Sequence, residues 1–173
     1  MRAAFIAFLM LVSCAALAQP KEQEVKAAFL FKFLSFVEWP PEALRDAPIV
    51  IAVVGSEEIA AELLEIVPGR NVQGRPVAVR RVREGEPIPL AQVLFFGRGE
   101  SARLRDVVRT AATQPLLIVC DWEGALEQGA VVNFVRSDAR VRFEIALDAA
   151  ERRNLRISSR MLAVAQSVRP GRL

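Results

Sequence analysis

Residues 49–66, IVIAVVGSEEIAAELLEI, decide the fold. The run from Ile49 to Val54 is wholly apolar and mostly β-branched, the pattern of a strand buried on both faces of a parallel sheet. Gly55-Ser56 ends it. Ser56 is then placed to N-cap a helix through Ile66, with Glu57 and Glu58 in the first turn where the macrodipole favours negative charge. Pro68-Gly69 closes that helix.

Downstream, the alternation continues. Val77-Ala78-Val79 with Val82 reads as a second strand, its arginines (Arg75, Arg80, Arg81 and Arg83) as solvated edges. Pro87 and Pro89 mark a loop before a third strand, 93–96. Residues 100–112 form an amphipathic helix with Leu104, Val107 and Val108 inward, and 116–120 a fourth strand. Gly124 and Gly129 flank a short connection to a fifth strand, 130–135, which pairs with a sixth, 140–147, as an antiparallel hairpin turning at Ser137-Asp138. Asp148 caps a short helix ending at Arg153, Asn154 suits a left-handed C′ position, and Ser158 or Ser159 starts a last helix through Val168. The fold expected is α/β: a mainly parallel sheet of about six strands flanked by helices, Rossmann-like, with a C-terminal β-hairpin and helix.

Upstream, residues 25–40, VKAAFLFKFLSFVEWP, read as a helix stopped by Pro40-Pro41. Val25, Phe29, Phe33, Phe36 and Val37 share one stripe, a core face worth roughly 8–15 kcal/mol if fully buried. Leu30, Phe31, Leu34 and Trp39 form a second apolar set on the other side. That set needs either another element of the chain or a second protein, and large apolar anchors of this kind are common at interfaces. In the sixth strand Arg142 and Glu144 point away from Val141, Phe143 and Ile145, so they form either a solvated row or a contact face.

The N-terminus reads as a secretory signal over 1–18, followed by one domain over 19–173. Ala16-Leu17-Ala18 is an A-x-A cleavage site, which gives a soluble form starting near Gln19. Leu11-Val12-Ser13-Cys14 also fits a lipobox with Cys14 lipidated.

Composition excludes several chemistries. The chain has no histidine and no tyrosine, which removes the commonest general base and metal ligand. Cys120 alone makes no zinc site, no carboxylate pair stands out, and neither a metal nor a cofactor is expected. Without Arg2 the balance is 22 basic to 20 acidic residues with no long basic run, so nucleic acid is not an expected partner. Gly97-Arg98-Gly99-Glu100-Ser101-Ala102 fits the dinucleotide fingerprint G-x-G-x-x-A, with Asp121 near the place of a ribose-binding acid. Glu100, however, stands where a pyrophosphate would sit. A Gly-rich strand-to-helix turn is the simpler reading.

Two blocks resemble the YfiR-type family of small periplasmic regulators. The first is 25–40, with its Val-Lys-Ala-Ala start and Phe-Val-Glu-Trp-Pro finish. The second is 140–165, RVRFEIALDAAERRNLRISSRMLAVA. The chain departs from the family pattern at Ala146, where Asn is usual, at Asn154, where Gly is common, and in lacking a second cysteine to pair with Cys120 in the mature soluble form. The resemblance implies a non-catalytic protein that binds the periplasmic sensor domain of an inner-membrane diguanylate cyclase and holds it inactive. It also implies release through an outer-membrane lipoprotein. On this reading Leu30, Phe31, Leu34 and Trp39, with Arg142 and Glu144, are the partner-binding residues, for the cyclase or for a second copy in a homodimer. The competing classes are a periplasmic small-molecule-binding module, with its ligand at the strand ends, and an orphan dehydrogenase-like domain.

Overall fold

In the computed structural model, residues 21–44 and 48–171 are described; the expected signal at 1–18, with Cys14, lies outside them. Helix α1 is Glu22–Phe36, three residues earlier than the sequence reading and shorter at its end. The backbone N–H of Lys21 donates to Glu24 at 2.9 Å, which fixes the start. Val37–Glu38 is not helical but a short strand, β1, ahead of the Pro40-Pro41 stop. A single 3-10 turn, Pro41–Leu44, follows.

The deciding stretch folds as its pattern requires. Strand β2 is Ile49–Val54 and α2 is Glu57–Ile66, with Ser56 Oγ accepting from the Ile59 N–H at 3.4 Å. Strands β3 (Asn71–Val72) and β4 (Arg75–Val82) form a small hairpin. Then come β5 (Val93–Phe96), α3 (Ser101–Thr110), β6 (Leu117–Cys120), β7 (Val132–Ser137) and β8 (Arg140–Ala146). The chain ends with α4 (Leu147–Arg152), β9 (Arg156–Ile157), α5 (Ser159–Val164) and β10 (Ser167–Arg169).

The sheet has eight strands, not about six, in the order β10-β8-β7-β6-β5-β2-β4-β3. It is mostly parallel and curls into an open half-barrel. The Rossmann-like expectation is corrected as well. In chain order the five parallel strands are β2, β4, β5, β6 and β7, and their spatial order is 2-1-3-4-5, the flavodoxin-type arrangement rather than the 3-2-1-4-5-6 of dinucleotide folds. Two edge additions were missed because both are too short to show a period: β3, and β10, which runs parallel to β8 where a continuing helix was expected. Strands β1 and β9 pair separately, Val37 with Ile157 and Glu38 with Arg156. The two blocks read at opposite ends of the sequence thus meet.

Central strands β2, β5 and β6 are buried on both faces, which explains their unbroken apolar runs. Helix α1 lies against β7 and β8 through an aromatic cluster. The Phe33 and Phe143 rings are 5.1 Å apart, and those of Phe29 and Phe143 5.3 Å, both edge-on. Helix α2 packs alongside α1. Among the described residues, no helix is long and apolar enough to cross a membrane.

Candidate functional site

Strand β6 stops at Cys120, while β7 and β8 run past it as a hairpin; Cys120 is level with Asn133, and Asn133 with Glu144. That overhang leaves a hollow beyond the carboxyl end of β6, where ligands of open α/β sheets usually sit. The cavity has a volume of about 770 Å³. The loop after β6 (Asp121, Trp122) and the hairpin (Asn133, Arg136, Glu144) line it, together with the first turns of α1 (Glu22, Lys26).

Its innermost charge is Lys26, only 5% exposed. Lys26 Nζ donates to Glu22 one turn earlier and to Asp121 Oδ2 at 2.8 Å. Asp121 is itself largely buried, and Arg98 Nε reaches its backbone carbonyl at 3.2 Å. Arg136 lies 3.5 Å from Glu22, and Arg169 bonds Glu127 at 2.6 Å. The hydrogen bond from Lys26 holds the Glu22 carboxyl below its usual value, with help from Arg136 and Arg98 and against a desolvation cost. Every buried charge here is therefore already compensated within the chain.

Hydrogen-bonding capacity is not. Asp121 Oδ1, Trp122 Nε1 and Asn133 Oδ1 are buried and have no hydrogen-bond partner, with Arg98 Nε standing 3.9 Å from Asp121 Oδ1, and all three residues line this cavity. Sequence reading singled out Asp121 for another role and gave none to Lys26, Trp122 or Asn133. One signal was available: Asn133 is the lone polar residue inside the apolar run Val131 to Val135.

The residues expected to bind a partner fare differently. Leu30 and Leu34 are fully buried and Trp39 nearly so. This corrects the idea of a free second face: the chain's own core takes up these residues, with α2 packed alongside α1. Phe31 keeps partial exposure, with the Arg70 guanidinium 5.4 Å over its ring. Arg142 is exposed, and Glu144 is half-buried, accepting from Ser167 Oγ at 3.1 Å. The six residues thus do not form one surface. Arg142 and Glu144 share a face of β8 with Ser167 and Arg169 on the neighbouring β10.

The fingerprint at Gly97 has a structural occupation. Glu100 packs on Gly55, where an added Cβ would lie 2.5 Å from its Cγ, and a Cβ on Gly97 would lie 2.2 Å from the Gly55 carbonyl oxygen. The strand ends of β2 and β5 are pinched together and a carboxylate covers them.

Cys120 is a free thiol buried in β6. Burial, and secondarily the charge of Asp121, push its pKa up, so it is unreactive. Asn154 takes the left-handed conformation expected of it, at φ 55°. A family model described as YfiR/HmsC-like matches residues 23–166, most of the chain, from the second residue of α1 past the end of α5 and short of the final strand. The chain belongs to the YfiR/HmsC-like family.

Proposed function

We propose that this chain is a periplasmic regulator that represses an inner-membrane diguanylate cyclase by binding its periplasmic sensor domain, and so lowers cyclic di-GMP. The observation that carries the reading is the family match over 23–166. A repressor of this kind works by population shift: it binds the cyclase's inactive state better than the active one. The chain acts by binding and not as an enzyme; the buried charges at the cavity, Lys26, Glu22 and Asp121, are held in ion pairs with one another. Capture by an outer-membrane lipoprotein, and a homodimer, belong to the same reading and rest on the family likeness alone.

The contact face assigned is the outer row of β8 and β10, Arg142 and Glu144 with Arg169, and Phe31 stands as a second, separate contact. Support comes from exposure and charge: Arg142 is exposed, and both signs lie side by side, which favours a specific charged partner. The test is binding of the purified chain to a cyclase periplasmic domain. Arg142→Glu should weaken it about tenfold or more without lowering the melting temperature. Unchanged affinity in Arg142→Glu and Glu144→Lys alike would remove this face from the account.

A further inference from the structure

The cavity beyond β6 gathers unpaired polar groups. Among the described residues, five buried side-chain polar atoms lack a hydrogen-bond partner, and three of the five belong to residues lining this one cavity. Buried polar groups are almost always satisfied, so such a concentration marks a place where water or a ligand supplies the bonds. Asn133 is 3% exposed, its carbonyl oxygen has no partner, and the residue lines the cavity.

The chemistry of the ligand follows from what is unpaired. The innermost charges are all paired, Glu22 with Lys26 and Arg136 and Asp121 with Lys26 and Arg98, so an ionic ligand there would have to displace a partner already in place. The unpaired capacity is two buried acceptors, Asp121 Oδ1 and Asn133 Oδ1, and one buried donor, Trp122 Nε1. Hydroxyl groups serve both kinds, and the indole of Trp122 offers an apolar face to C–H groups. Arg98, 3.9 Å from Asp121 with a side chain 72% exposed, screens that carboxylate only loosely and can swing aside. We infer that the cavity binds a neutral polyhydroxylated molecule of monosaccharide size, with Asp121 and Asn133 accepting from its hydroxyls and Trp122 donating to one of them. The inference goes beyond the regulatory reading and does not depend on any cyclase.

Titration calorimetry of residues 19–173 with D-glucose, D-galactose and D-ribose tests it, with inorganic phosphate and glycine as ionic counter-probes. At least one sugar should bind, and Trp122→Phe, which keeps the stacking surface and loses the donor, should weaken it several-fold. Asn133→Leu should abolish it by about tenfold or more while leaving the free protein as stable or more so, because it removes an unsatisfied buried group. If no sugar gives heat at about 10 mM, the cavity holds only water and the inference fails. Binding of phosphate or glycine in place of the sugars would overturn the ligand class. Sugar binding untouched by both substitutions would overturn the site.

Discussion

Lys26 sits 5% exposed between Glu22 and Asp121, and it ties the start of α1 to the end of β6. Replacing one member of a buried pair leaves the other charge desolvated, so Lys26→Met should cost roughly 3–5 kcal/mol in denaturant unfolding. The pair also sets an acid limit. Glu22 titrates at 4.5 by default and lower in the folded chain, so the folded state binds its proton less tightly. Its stabilisation is present above pH 4.5 and is lost as pH falls through the lower folded value. Lys26→Met should flatten that acid-side loss in melts taken across pH 3–6. None of this was legible from spacing. Lys26 falls on the charged side of α1 by angle, and only the tertiary position of Asp121, 95 residues away, turns that side inward. Arg153 is a parallel case: buried, its pKa lowered to about 10 chiefly by desolvation, it donates to the Ala111 carbonyl at 2.7 Å.

Elements with a full period were readable, and their partners were not. The β2–α2 unit and the β7–β8 hairpin stand as expected because alternation, caps and turn residues agree there. The second apolar set of α1 was also seen, but its count of large side chains says nothing about which surface covers it. With Leu34 fully buried, Leu34→Glu should destabilise the chain by roughly 4 kcal/mol or more, whereas Phe31→Glu at the rim should stay folded. Circular-dichroism melts separate the two; a folded, stable Leu34→Glu would mean that the core does not take up that face. The β7–β8 turn places Asp138 and Ala139 at φ 51° and 59°. Ala has no reason to favour that region, so Ala139→Gly should stabilise the hairpin by about 1 kcal/mol, read as a rise in unfolding midpoint.

As a whole molecule, the chain brings its two signature blocks together: Val37–Glu38 pairs with Arg156–Ile157, and the Ser158 N–H donates to Phe36 at 2.9 Å. The similarity of those blocks to one family was the most informative feature of the sequence, because no local pattern in either block encodes the joining of the two ends. The cavity was the least legible feature, since it arises from strands of unequal length. With Cys120 buried and free, dithiothreitol should leave the melting temperature of residues 19–173 unchanged. The central claim is repression from outside the membrane. Its most direct measurement is cytoplasmic cyclic di-GMP in cells that express a membrane diguanylate cyclase partner with the chain, without it, or with Arg142→Glu. The account predicts low cyclic di-GMP with the intact chain and a rise to the chain-free level with the variant; the same cyclic di-GMP level with and without the intact chain would contradict it.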